Sequence, residues 1–355
     1  MNVNNLTDLY TDFLLVSPCQ TTATGLSALL DNSVSHDKIT RLLSSSAISS
    51  QTLWQMVKPM CHEIKSDDAV LIFDDSIEAK KYTDNNELIS WHFDHTEGRS
   101  VKGVNFMTAL YSSNDISLPV GVEFVRKTKA FISKKGKLVY KSEKTKNQMF
   151  REMLWQASCN IDFKYVLNDT WFSSVENMNF VYSKCNRHFI MAIKENRKVA
   201  LSKENKEKGL YVSIKSLELE GSVMSVYFEQ LDFPVVISKQ VFKNGDGSTG
   251  TLYLASSDLS LTYEQITTIY KKRWKVEEYH KSIKSNAAFA KSPTRTVQTQ
   301  VSHFIASIMA YVKLERLKVR NNQNHFAMKS RLYVQAAKAA YKELQRLSTP
   351  HLAFN

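Results

Sequence analysis

Apolar residues recur at helical spacing near the amino terminus, at Leu26, Leu29 and Leu30 and again at Ile39, Leu42 and Leu43, with little glycine between residues 1 and about 66. A helical domain is expected there. Between the two runs, Asp31-Asn32-Ser33-Val34-Ser35 supplies turn residues and a serine able to cap the next helix. The pattern fits a helix-turn-helix whose second helix offers His36, Lys38, Thr40 and Arg41 to a DNA groove; a three-helix interaction domain without DNA contact fits the same spacing.

From about 67 to 195 the pattern changes to short β-branched apolar runs alternating with helical segments. Strands are predicted over Val70–Phe73, ending at Asp74-Asp75-Ser76, over Val101–Tyr111 and over Leu118–Val125. A helix over roughly 145 to 158, a strand over Phe163–Leu167 ending at Asn168-Asp169-Thr170, a helix near 173 to 184 and a strand over Phe189–Ile193 complete the series. Three strands, helix, strand, helix, strand is the order of an α/β fold of the ribonuclease H-like type, as in retroviral integrase cores. Residues 196 to 260 read as an all-β insertion, with strands at Val223–Glu229, Val235–Val241 and Thr251–Ala255 and a hairpin signal at Asn244-Gly245-Asp246-Gly247. Helices are then expected from Thr262 to about 290, over 297 to 319 and over 327 to 347. The domain reading is therefore 1–66 helical and DNA-binding, 67–195 the first part of the core, 196–260 the insertion, 261–320 the core's completion and 321–355 a basic carboxy-terminal helix.

Charge narrows the partner. A net charge of +12 over 355 residues and a pI near 9.3 point to a polyanion. Residues 291 to 355 carry 11 Lys+Arg against 2 Asp+Glu. The run from Arg126 to Arg151, with Lys127, Lys129, Lys134, Lys135, Lys137, Lys141, Lys144 and Lys146 opposed only by Glu143, reads either as a solvated face or as a phosphate contact. No stretch approaches the roughly 20 uncharged apolar residues of a membrane span. Cys19, Cys61, Cys159 and Cys185 have no zinc-ligand spacing and read as free thiols, and the start Met1–Phe13 lacks the features of a signal peptide. A cytoplasmic, bacterial or archaeal, nucleoid-associated protein is expected.

Candidate chemistry lies at strand ends. Asp74 and Asp169, about 95 residues apart, each follow a buried strand, with Asp75 as the alternative to Asp74 and a helix cap as the alternative role for Asp169. On the helix starting near Thr262, Tyr270, Arg273, Glu277 and Lys284 fall within an arc of roughly 60° at about 100° per residue. One face thus carries a hydroxyl, a guanidinium, a carboxylate and an ammonium, with Lys281 a turn beyond Glu277 as either its ion-pair partner or a DNA contact. In-line displacement at phosphorus uses such a mixture: hard carboxylate oxygens for two Mg²⁺ or Mn²⁺ ions, and cations for the backbone phosphate. His92 and His95 read as a loop with polar contacts, and His280 as part of a solvated face.

The spacing Tyr270-x2-Arg273-x3-Glu277-x6-Lys284 resembles the signature helix of DDE transposases of the insertion sequence 4 type. Asp74-Asp75-Ser76 is similar to that family's Asp-x-Thr element, Tyr165–Asp169 resembles its second aspartate strand, and a β-rich insertion precedes the glutamate helix, so the resemblance covers roughly 67 to 320. It implies a ribonuclease H-like core, a triad of Asp74, Asp169 and Glu277 holding two Mg²⁺, and DNA contacts from Tyr270, Arg273, Lys284 and Lys281. It also implies binding and cut-and-paste transfer of transposon terminal inverted repeats into target DNA, a hairpin intermediate and a homodimer across two ends. After the second aspartate the chain departs from the family, with Thr170-Trp171-Phe172, and its insertion contains no tryptophan; Trp171, Tyr227 or Phe228 is then the candidate for stacking on a base. A transposase-derived DNA-binding protein that no longer cuts and a metal-dependent nuclease that never joins strands are the rival functions.

Overall fold

Three side chains set the starts of the amino-terminal helices. Asn2 accepts the Asn5 N–H, Thr22 that of Gly25 and Ser35 that of Lys38, each satisfying a donor that the first helical turn leaves over. These helices are α1 (Val3–Val16), α2 (Ala23–Leu29) and α3 (His36–Ser44), followed by α4 (Ser50–Glu63). The computed structural model describes residues 2–94, 97–133, 136–243, 245 and 247–348. His95, Lys134, Lys135, Asn244 and Asp246, singled out above, lie outside the described residues. In the α2–α3 turn Asp31 and Asn32 take φ of 50° and 59°, a region that short polar side chains tolerate. Leu26, Ile39, Leu42 and Leu43 are buried as the spacing predicts, but Leu29, at the end of the short α2, is 57% exposed.

The strands follow as β1 (Val70–Ala79), β2 (Ser90–Asp94), β3 (Arg99–Ser113), β4 (Ile116–Phe124), β5 (Lys129–Ile132) and β6 (Leu138–Lys141). Then come α5 (Lys146–Ser158), β7 (Tyr165–Asn168), α6 (Val175–Asn179), continued to Lys184 by a wider turn, β8 (His188–Ile193), β9 (Lys198–Val199), α7 (Lys203–Glu207) and β10 (Val212–Ser213). Next are β11 (Val223–Val226), β12 (Val235–Lys243), β13 (Thr249–Ser256), α8 (Tyr263–Lys271), a 3₁₀ turn (Lys272–Trp274), α9 (Lys275–Asn286), α10 (Val297–Asn321) and α11 (His325–Ser348).

One mixed sheet, of nine strands among the described residues, runs in the order β11-β12-β13-β8-β7-β1-β3-β2, and β4 joins β3 further along. β1, β7 and β8 are parallel; the other neighbours are antiparallel. The strands between 223 and 256 therefore continue the central sheet beyond β8. β5 and β6 pair with each other as a separate two-stranded ribbon.

Two expectations change. The first strand does not end at Asp74: β1 runs on to Ala79, because the long β3 keeps supplying backbone partners from Val70↔Ser112 to Ala79↔Gly103. Burial nevertheless falls from complete to partial at Asp74, since the parallel partner on the other side reaches only Ile72. The helix expected from Thr262 to about 290 is two helices joined by the 3₁₀ turn. At 120° per residue instead of 100°, three such residues turn the two halves by about 60° relative to an unbroken helix.

The chain forms two compact units, residues 54–279 and residues 1–53 with 280–355. The first holds the sheet. In the second, α10 is buried from Thr299 through Ile308 and on to Glu315 with few interruptions, as suits a helix covered on most sides. Tyr10 of α1 hydrogen-bonds His303 of α10 at 2.9 Å, and Lys313 pairs with Asp8 and Asp12 at 2.7 and 2.6 Å.

Candidate active site

Side chains alternate along a strand, so β1 sends Asp74 and Asp75 to opposite faces of the sheet. Phe73, on the Asp75 face, lies 4.4 Å ring to ring from Phe150, so α5 covers that face. At the start of α5, Lys146 pairs with Asp75 at 2.6 Å. Asp74 turns the other way, toward the segment that follows α8. There Nη1 of Arg273 lies 3.8 Å from an Asp74 oxygen and 3.6 Å from Oε1 of Glu277, and Asp74 and Glu277 offer oxygens within 4.8 Å of each other. The neighbouring aspartates thus have different surroundings, one a lysine and the other an acid and an arginine.

The parallel pairing of β1 with β7 runs from Val70↔Tyr165 to Ile72↔Leu167. Two residues beyond the last pair come Asp74 on β1 and Asp169 after β7, close enough for the charge of Asp169 to act on Asp74. Asp169 lies just past the carboxyl end of β7, where open α/β sheets bind their ligands. Asp169 Oδ1 accepts the Trp171 N–H at 2.9 Å, closing a turn. The helix cap is Ser174, which accepts from Asn177 at 3.1 Å, so capping is not what Asp169 does.

The electrostatics follow from crowding. Asp74 is pushed up to about 8, first by burial and then by the charges of Glu277 and Asp169, while Arg273 pulls it down. Asp169 is also raised by burial, against the Trp171 N–H and Arg273. Asp74 therefore keeps its proton at neutral pH.

The remaining predicted site residues fall in different settings. Tyr270 is buried beside Arg273, near Asp169 and Asp74, and its hydroxyl donates to the Asn168 carbonyl at 3.1 Å. It fastens α8 to the residue before Asp169. Tyr270→Phe is expected to cost about 1 kcal/mol, read from a urea unfolding curve at pH 7; an unchanged midpoint and slope would show that the bond contributes nothing. Glu277 pairs with Arg273, and Glu278 with Lys275 at 3.4 Å. On α9, Lys284 is half-buried, and Lys281 lies 5.2 Å from the Phe326 ring. Trp171 is half exposed, with Lys146 Nζ 5.7 Å from its ring. In α3, Arg41 is exposed and Lys38 half-buried.

Three side readings resolve. His92 is buried, bonds Ser90 at 2.9 Å and is held down to about 4 by burial and by Lys127 and Lys146, in keeping with a polar contact. His280 is buried, not on a solvated face, and Phe228 is buried and so has no exposed ring to stack. Lys146 was not singled out from the basic run; the capping box of Thr145 and Gln148 that starts α5 is the local signal that fixes it at a helix start.

The mixed sheet gathers partly buried carboxylates and a guanidinium near the carboxyl ends of its parallel strands, where open α/β sheets bind ligands. The sequence matches the DDE superfamily endonuclease family over residues 5–209 and the Transposase DDE domain over residues 127–313, each more than half of the 355-residue chain. The chain belongs to the DDE transposase and endonuclease superfamily. No curated protein gives a significant match to the sequence. DNA is the substrate the family implies, and DDE endonucleases generally use divalent metals. No described helix is long and apolar enough to cross a membrane.

Proposed function

We propose that the chain is a cut-and-paste DNA transposase of the insertion sequence 4 type, built on a ribonuclease H-like core. The observation that carries this reading is the approach of Asp74 of β1, Asp169 after β7 and Glu277 of α9 to one corner of the sheet, with Arg273 between the first and third. The order β4-β3-β1-β7-β8, antiparallel in its first three strands and parallel in its last three, supports the fold assignment.

Asp74 and Glu277 offer partly buried carboxylate oxygens within 4.8 Å of each other, and hard oxygen donors of this kind suit a divalent cation. Asp74, Asp169 and Glu277 would hold two such ions, Mg²⁺ with Mn²⁺ able to substitute. When bound, these ions supply an activated water and neutralise the leaving oxygen at the scissile phosphate. Arg273, largely buried between the two carboxylates, holds Asp74 and Glu277 in place and offers its fork of N–H donors to the end phosphate. Lys281 and Lys284 add positive charge further along α9. Tyr270 positions the Asp169 turn. Trp171, exposed beside that turn, is placed to stack on a nucleotide near the cut.

In this reading the helical residues 1–66, including Lys38 and Arg41, and the basic 321–355 grip the terminal inverted repeats of double-stranded DNA. Two copies of the chain bring two ends together, and the freed 3′-hydroxyl attacks first the opposite strand, giving a hairpin, and later the target. The test is Mg²⁺-dependent cleavage of a transposon-end duplex by the wild type and by Glu277→Gln. Loss of cleavage with retained binding is expected; a variant that cuts at the wild-type rate overturns the assignment. Supplying precut ends and scoring strand joining separates a transposase from a nuclease that only hydrolyses.

A further inference from the structure

The ribbon β5–β6 is unusual in having no covered face. Its cross-strand pairs Ala130↔Tyr140 and Ile132↔Leu138 put Ile132, Leu138 and Tyr140 on one side, 75%, 62% and 50% exposed. The other side carries Lys129, Lys141 and Phe131, with Lys141 Nζ 4.3 Å from the Phe131 ring. A two-stranded ribbon without a packed face is marginal in water by itself, so this one suits a surface that a ligand completes. Between Arg126 and Ser142 the sequence holds seven cations and no carboxylate.

Beside the ribbon lies a cleft of about 630 Å³, within the size range of ligand sites, whose walls include Trp91 of β2 and Tyr140 of β6 with Asn85, Ser90 and Lys127 between them. Trp91 is 56% exposed. Lys127 donates from its Nζ to the Trp91 carbonyl, tying β2 to the ribbon's root. Glu87, the carboxylate on the cleft wall, is paired with Arg126 at 3.3 Å. The root is closed by Thr128 and Glu143 at 3.3 Å, and three residues later Lys146 reaches Asp75, next to Asp74. The ribbon's root thus lies on the α5 face of the sheet, one residue along β1 from Asp74.

We propose that this cleft and ribbon bind an unpaired stretch of DNA strand near the cleavage site, with a base stacked between Trp91 and Tyr140, the adjoining phosphate meeting Lys127 on the cleft wall, and the strand continuing over the ribbon's edge to Lys129, Lys137 and Lys141. Aromatic walls inside a cationic strip are the recognition chemistry of single strands, since every base has a face to stack and every link a phosphate. Charge selects this occupant over a second copy of the chain, which carries the same net charge of +12. The inference rests on the reading of the chain as a DNA transposase.

The experiment is full-chain binding in EDTA, so that cleavage plays no part, to one duplex in blunt form and with a short oligothymidine overhang. The wild type is expected to prefer the overhang by about tenfold, the worth of one stacked base. Trp91→Ala and Tyr140→Ala should erase that preference and Tyr140→Phe should keep it, with melting curves reporting the fold of each. The triple change of Lys129, Lys137 and Lys141 to Ala should make the salt slope of overhang binding shallower by about 2. Equal binding of blunt and overhang duplexes, or a preference that survives in both alanine variants, overturns the inference. So does a sedimentation change from dimer to monomer in the variants with the overhang preference intact, since the face would then belong to a second copy. If the wild type binds no DNA at all, the transposase reading itself fails.

Discussion

Asp74→Asn is expected to lower metal-dependent DNA cleavage about a thousandfold or more while leaving DNA binding in EDTA unchanged. A metal ligand contributes several kcal/mol to a phosphoryl-transfer transition state, and each 1.36 kcal/mol is a factor of ten in rate. Asparagine keeps the shape of the protonated side chain that burial and the neighbouring acids already favour, so the variant should fold at least as well as the wild type. Asp75→Asn is the matched control. Its carboxylate faces Lys146 across the sheet from Glu277, and its cleavage rate should stay within about tenfold of wild type, an ion pair of this exposure contributing on the order of 1 kcal/mol. Single-turnover cleavage of a labelled duplex decides: a dead Asp75→Asn with an active Asp74→Asn reverses the assignment and moves the site to the α5 face.

Without metal, the wild type should lose stability as pH rises, and Asp74→Asn should lose much less. The folded protein holds the Asp74 proton up to about pH 8, whereas an unfolded aspartate releases it near 4. Folding is thus linked to proton uptake: the contribution is fully present below about pH 4 and is lost as pH climbs through 8. Asp169, raised in the same direction, adds to the slope. The two proteins should melt nearly together at pH 5, and by pH 9 the variant should be several degrees more stable. Divalent metal acts oppositely, because it displaces the proton. The wild-type affinity for Mg²⁺ should therefore rise with pH, by up to about tenfold per unit while one proton is released, and level off above pH 8. Melting scans with EDTA and with Mg²⁺ across this range measure both effects. Parallel wild-type and variant curves would mean that Asp74 is not crowded as the geometry places it.

Much of the fold is written in local pattern. The cap at Ser35, the β-branched runs at Val70–Phe73 and Phe189–Ile193 and the apolar face Ile39, Leu42 and Leu43 each act over a few residues and form as their spacing predicts; caps at Thr22 and Thr145 act over the same short range. β2 and the β5–β6 ribbon do not announce themselves in this way. They are short, half polar and poorly covered, so the alternation that marks a buried face is missing from them. The 3₁₀ turn is equally silent, because Lys272-Arg273-Trp274 contains neither glycine nor proline.

The sequence by itself determined the membership of a DDE family and the sign and size of the charge. Only the tertiary structure decided which face meets the glutamate helix, that Tyr270 reaches Asn168 while Arg273 reaches two carboxylates, and that the β5–β6 ribbon pairs only with itself. Periodicity and capping come from bonds and contacts within a turn or two of chain, whereas the covering of a face is set by pairings such as Ile72 with Leu167, whose partners find each other only once the chain has folded.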